Sequence, residues 1–559
     1  MMSRRYLSAP AAGLAMLTAA FSAAPAPADM LVDNVDGITL GEEGEVIRFV
    51  ALRVDDDGKV AEIFERGDDL PRDVDYRLDG EGRTMAPGFI DSHLHVMGIG
   101  FGALTLDLSQ TASLDEALAA IARFAEENPS RPWILGGGWN QEQWGLGRFP
   151  TAAELDAVVP DRPVYLTRVD GHAGWANSRA LERAAITAKT ADPDGGRIER
   201  LANGQPSGVF VDAAETLVTR HIPAPRPAER DLALSEAQKL LHAQGVTAAA
   251  DMGTSIEDWQ AYRRAGDAGT LTLRIMAYAG GVEAMDIIAG SNPTPWLYDD
   301  RLRLNGVKLY LDGALGSRGA WLKEPYADDA DNTGLPLLDP AQLRNRMSRA
   351  AIGNFQLAIH AIGDAANAEV LSAVRELQET YTGDRRWRVE HAQVVDPSEL
   401  SQFGELGLIA SMQPVHQTSD RVMAEARLGP QRLDGAYAWR TIAENGATLA
   451  LGSDAPVERP DPLTGMAVAI SRVDDAGEPF GGWRPDETIE RERAFAGYTM
   501  NGAYAGFAEG RFGRLLPGER ADFVLLDVDP LMANERNLRD AEVAETWVGG
   551  KLVYRRDSQ

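Results

Sequence analysis

Residues 86–95 read Ala86-Pro87-Gly88-Phe89-Ile90-Asp91-Ser92-His93-Leu94-His95. An apolar opening followed by alternation predicts a buried strand, and along a strand residues i and i+2 share a face. His93 and His95 therefore point the same way at the strand's close. Two imidazoles so placed can chelate one cation, although an isolated His-x-His pair fits ordinary packing as well. What the pair means depends on what the rest of the chain sets beside it.

Working outward, seven more strand-like runs follow, with helical text between them. Together with 85–96 they cover 245–253, 271–280, 304–313, 355–363, 386–394, 408–416 and 448–455. Buried strands alternating with helices are the mark of a parallel α/β fold, and eight units match a closed (β/α)₈ barrel of the TIM type, whose reactive groups sit at the C-terminal strand ends. An open doubly wound sheet is the alternative. Strands one and two are too far apart for a single helix, so an inserted subdomain is expected at about residues 100–240, able to cover the barrel mouth. Short β-rich runs joined by Asp-Gly turns fill 29–85 and recur over 506–559. Each end is too short to bury its own core, so the two are expected to form one composite β-sandwich flanking a barrel over 86–505.

Five of the eight histidines, His93, His95, His360, His391 and His416, fall at or near proposed strand ends. Asp454 closes the eighth run in Gly452-Ser453-Asp454-Ala455. One buried histidine is usually a hydrogen-bonded core residue, but several at matched strand ends around one mouth suggest a metal centre. Lys308 lies inside the fourth run among apolar neighbours. A buried ammonium beside dications is unfavourable by desolvation and like-charge repulsion. It either pairs with Asp312 or reaches solvent, or it is carbamylated into an anionic oxygen donor. Asp170-Gly171-His172, His416, Asp312 and Trp139 are candidate substrate-pocket groups, whereas His221 and His242 fall in text that favours surface or core packing.

The run 86–95, with His360, His391 and Asp454 at strand ends, resembles the metal-dependent amidohydrolase superfamily. Lys308-Leu-Tyr-Leu-Asp-Gly-Ala-Leu-Gly-Ser317, Ile359-His-Ala-Ile-Gly-Asp364 and the closing Leu516-Pro-Gly-Glu-Arg-Ala-Asp-Phe-Val-Leu-Leu-Asp527 are similar to its amidohydrolase-3, YtcJ-like branch, which includes N-substituted formamide deformylases. The resemblance implies two divalent ions, usually zinc: one held by His93, His95 and Asp454, the other by His360 and His391, with carbamylated Lys308 bridging. It further implies hydrolysis of a non-peptide C–N bond in a small amide-type substrate, with Asp454 as general acid/base. A deaminase or an ester or lactone hydrolase of the superfamily is the nearest rival. Adenosine-type deaminases resemble a site with His-x-x-Glu after strand five, where this chain has His360-Ala-Ile-Gly-Asp364. A binding protein on a decayed barrel would lack ligands, and none is missing here.

Composition narrows the partners. Against 55 Lys and Arg stand 84 Asp and Glu, a formal charge of −29 that argues against nucleic acid and anionic membranes. Cysteine is absent, which excludes thiolate ligands and disulfides. Residues 1–28 combine Arg4-Arg5, a short apolar stretch and Ala26-Pro27-Ala28, the pattern of a cleaved secretory signal. A periplasmic or secreted protein, not stably inserted in a membrane, is the expectation; a homo-oligomer is left open.

Overall fold

The computed structural model describes residues 29–168, 171, 173–193 and 196–557. The expected signal segment 1–28 and the candidates Asp170 and His172 lie outside the described residues.

At Gly88 one extended stretch passes from one sheet to another. Before it, Thr84–Pro87 pairs antiparallel with Phe523–Leu526. After it, barrel strand β1 (Phe89–Leu94) pairs parallel with β2 (Val246–Thr254). The single strand expected over 85–96 is thus two, because the residues on either side of the glycine satisfy their backbone groups in different layers. The other barrel strands are β3 (Arg274–Gly280), β4 (Leu302–Tyr310), β5 (Gln356–Ala361), β6 (Arg388–His391), β7 (Ile409–Met412) and β8 (Thr448–Leu451), all parallel and in sequence order. Inward side chains such as Ile90, Ala248, Ala250, Met276, Tyr278 and Ala358 fill the interior, while the outward faces pack under the helices.

The ladder does not run continuously between β8 and β1. That seam is closed by single bonds at the mouth: Asp454 N donates to His93 O (2.7 Å) and His95 N to Ala455 O (2.8 Å). The Asp91 carboxylate spans the same joint, accepting from His93 N (3.0 Å) and Ser453 N (3.1 Å). Gly452 is required there, since a Cβ would stand 2.6 Å from His93 N and 2.7 Å from Asp91 Oδ1.

The six-stranded sheet beside the barrel draws Asp36–Leu40, Val46–Phe49 and Thr84–Pro87 from the N-terminal part and Phe523–Leu526, Val543–Val548 and Lys551–Arg555 from the other end. A four-stranded sheet of N-terminal strands covers it, and Val32, Phe49, Leu52, Met85, Phe523 and Trp547 form the apolar layer between. This is the composite sandwich that neither end could build alone. Arg274, at the start of β3, ties it to the barrel through a buried ion pair with Asp522 (2.5 and 2.8 Å). The insertion carries its own six-stranded sheet and cores. Among the described residues no helix is long and apolar enough to cross a membrane.

Candidate metal centre

The registry of β1 against β2 slips between Asp91 and Leu94, so three steps along β1 match two along β2. Such a bulge re-aims side chains, and it turns His93 into the barrel interior alongside the inward-facing Ile90. His391 and Asp454 reach the same space by another device. Both adopt left-handed backbone conformations (φ 75° and 60°) just where their strands end. That conformation is costly for a residue with a Cβ, and it marks a chain bent to deliver a side chain.

The result is a tight cluster. Ligand-capable atoms of His93, His391 and Asp454 lie within 4.8 Å of one another, and all three residues are buried. His93 Nε2 is 3.4 Å from Asp454 Oδ1 and 3.2 Å from Lys308 Nζ, while His95 Nε2 is 3.2 Å from the same Asp454 oxygen. The His391 and His360 rings are 4.6 Å apart. The trio takes His93 and Asp454 from one of the two expected ligand sets and His391 from the other, so both sets meet at one centre.

Titration follows from burial and neighbours. Burial, then the Lys308 charge, lowers His93 to about 4 and His360 to about 3, and burial puts His391 well below its usual value. Burial by itself would raise the Asp454 carboxyl, but hydrogen bonds from His416 and His95 outweigh it and hold the group well below the usual carboxylate range. Burial lowers the Lys308 ammonium to about 8, against the pull of Glu390 and Asp454. Neutral imidazoles around an ionised carboxylate are the protonation states that divalent-cation binding requires. His360 adds an independent sign. Its Nε2 is buried without a hydrogen-bond partner, the 3.4 Å approach to Asp312 Oδ1 being too poorly aimed to count as one. The donor set therefore fits a divalent metal.

Several expectations change. The run 408–416 is not one strand: β7 stops at Met412, and Pro414 opens the helix Pro414–Leu428 because proline suits a first helical turn. His416 is thus a helix residue, bridging Asp454 Oδ2 and Glu458 Oε1 at 3.2 Å each. Burial opposes its charge, but those two hydrogen bonds raise it to about 10. Lys308 does not pair with Asp312. That carboxylate accepts from the backbone N–H of Trp321 (2.9 Å), Ile362 (3.0 Å) and Gly363 (2.9 Å), and burial raises it to about 6 despite them. It orders loops behind His360 and does not line the cavity. Trp139 belongs to the core of the insertion, its indole N–H donating to Leu166 O (2.8 Å). His242 is a satisfied core histidine, bonded to Val246 O (3.0 Å) and Thr272 Oγ1 (2.9 Å), and His221 is exposed beside Arg220.

Two residues of the cluster's surroundings were not among the expected ones. Glu390 Oε2 accepts from His93 Nδ1 (2.6 Å), and its other oxygen accepts from Arg388 Nε (2.8 Å), all inside the barrel. Alternation does signal them, since Arg388 and Glu390 are i and i+2 on β6 and so share a face.

Above the cluster a cavity of about 740 Å³ opens, with Leu315, Ile362, Met423 and Val457 as its apolar wall and Asp420 and Glu458 beside His416. No described residue of 97–244 lines it.

Comparison with known proteins agrees with this geometry. The amidohydrolase family model matches residues 78–554. Protein LONG AFTER FAR-RED 3 of Arabidopsis thaliana is 35% identical over 94% of this chain and 92% of its own length. N-substituted formamide deformylase of Arthrobacter pascens is 30% identical over 86% and 90%. Among solved structures, an uncharacterized metal-dependent hydrolase of Pyrococcus horikoshii superposes with a TM-score of 0.76, covering 91% of this chain and 99% of that one at 25% identity. Since the matched stretch takes in every residue of the cluster as well as the eight barrel strands, the chain belongs to the amidohydrolase family and is a metal-dependent hydrolase.

Proposed function

We propose that the protein hydrolyses a C–N bond of the amide type, not a peptide bond, in a small molecule. The observation that carries the reading is the convergence of His93, His391 and Asp454 at the floor of the cavity, with His95, His360 and Lys308 around them. The likeness to a deformylase of N-substituted formamides supports amide chemistry over other carbonyl substrates. In this reading His93, His95, His360, His391 and Asp454 would hold two divalent ions, zinc being the metal that suits imidazole and carboxylate donors, and Lys308, once it has added CO₂, would supply a further oxygen donor. Such ions, when bound, would lower the pKa of a water from 15.7 to ~7 and would polarise the scissile carbonyl.

The chain's own groups do the rest. Asp454 takes the proton of the attacking water at its carboxylate and delivers it to the departing amine. His416 holds that carboxylate in one orientation through its Oδ2. A Lys308 amine lowered to about 8 has an appreciable neutral fraction near neutral pH, which is the form that adds CO₂. The wall of Leu315, Ile362, Met423 and Val457 receives an apolar substituent of the substrate.

The test is turnover of the metal-loaded protein against a panel of N-formyl and N-acyl amines, with matched esters and lactones as the competing arm. Release of amine that stops on chelation and returns with zinc is expected. Ester cleavage without amide cleavage would overturn the C–N assignment.

A further inference from the structure

We infer that Glu390 and Arg388 are positioning residues for the metal centre: Glu390 fixes the tautomer and ring plane of His93, and Arg388 acts through Glu390 to hold it there. The inference rests on the reading of the His93 cluster as that centre.

Glu390 is fully buried, and a carboxylate only accepts hydrogen bonds. Its contact with His93 Nδ1 (2.6 Å) therefore places the proton on Nδ1 and leaves the lone pair on Nε2. Nε2 is the nitrogen that faces Asp454 and Lys308. Without this partner the imidazole could carry its proton on either nitrogen, and only one tautomer can bind a cation in the cavity.

Arg388 constrains the arrangement from both sides. It grips Glu390 at both oxygens, Nε to Oε1 (2.8 Å) and Nη2 to Oε2 (3.1 Å). Nη2 also donates to Ser92 O (2.6 Å), the carbonyl next to His93, and to Ser411 Oγ (2.7 Å) on β7, while Nη1 reaches Tyr278 Oη (3.2 Å) on β3. One guanidinium thus holds the backbone in front of His93 and, through Glu390, the ring itself. Stability alone does not explain the pair. Two charges inside a barrel are costly to desolvate, and apolar replacements are often as stable. Partners behind a ligating histidine typically contribute 10–100-fold in metal affinity.

The experiment uses the full chain and zinc. The double variant Arg388→Met/Glu390→Gln removes both charges together, so that neither is left unpaired in the core. Its zinc Kd, read by competition with a chromophoric chelator, is expected to weaken by roughly 10–100-fold. The ¹⁵N spectrum of the metal-free protein should show His93 as a single Nδ1–H tautomer in the wild type and a mixture in the variant. Glu390→Asp keeps the ion pair but withdraws the carboxylate by about 1.5 Å. It should weaken zinc binding with little change in melting temperature, which covers the case of a double variant that does not fold. A variant Kd within twofold of wild type, with the tautomer unchanged, overturns the inference. A wild type that binds no divalent metal overturns the reading of the centre instead, and the tautomer measurement still decides the role of Glu390.

Discussion

Replacing Gly452 by alanine adds one methyl group at the joint between the last and first barrel strands. The new carbon would stand 2.6 Å from His93 N and 2.7 Å from Asp91 Oδ1, about 0.7–0.8 Å inside ordinary contact, and the atoms it meets are backbone and a buried carboxylate held by two N–H groups. To accommodate it the strands must part. Overpacking of this kind costs about 1–3 kcal/mol, and the bonds Asp454 N to His93 O and His95 N to Ala455 O add ~1 kcal/mol each if they stretch beyond use. A loss of ~3 kcal/mol is the central value. Unfolding a chain of this size releases on the order of 1 kcal/mol per kelvin of entropy, so the melting temperature should fall by about 3 °C. The same opening moves His93 away from Asp454, so zinc affinity should drop with it. Differential scanning calorimetry of the metal-free protein and chelator competition for zinc measure the two effects separately. A variant that melts with the wild type and binds zinc equally well would refute the assignment of this joint as a close-packed support of the centre.

Asp454→Asn is expected to keep the fold while kcat falls by about 10²–10⁴-fold, and near-normal kcat would remove Asp454 from proton transfer. If the proposed centre holds two zinc ions, Lys308→Met should reduce them toward one per chain by elemental analysis; two ions retained would exclude a bridging lysine. His242 offers a pH test away from the centre. Burial lowers it to about 4 from an ordinary 6.5, so the unfolded state takes up a proton first as pH falls. Its contribution to stability is complete above pH 6.5, declines below that and is lost by about pH 4. His242→Gln should therefore flatten the melting temperature of the metal-free protein across that window relative to wild type, and parallel profiles would contradict the assignment.

Much of this was legible in the sequence because parallel barrels impose simple rules on it. Strands buried on both faces are written largely in apolar text, and reactive groups follow them, so His360 announces itself as a polar residue where the apolar run Leu357-Ala358-Ile359 ends, and His93 and His391 as imidazoles at the close of matching strand-like runs. Legibility failed where a second rule competed. His416 follows the β7 run closely enough to read as its end, yet Pro414 had already turned the chain into a helix. Asp312 was a candidate pocket group, but three backbone N–H groups claim its oxygens. Trp139 could equally line a cleft or fill a core, and composition cannot separate the two. Arg388 and Glu390 escaped notice for a different reason. Their meaning depends on Ser92, Tyr278 and Ser411, which come from three other strands.

The joint between β8 and β1 also sets an order of events. His95 and the carboxylate it meets are separated by 359 positions, and that carboxylate follows the last barrel strand to be made. On the ribosome, His93 and His95 emerge long before the aspartate that, in the proposed centre, would complete their grasp. A cation met early would find only a loose two-pronged chelate; secure capture must wait until the ring has closed. In the proposed centre, assembly of the fold would in this sense time the acquisition of the ion.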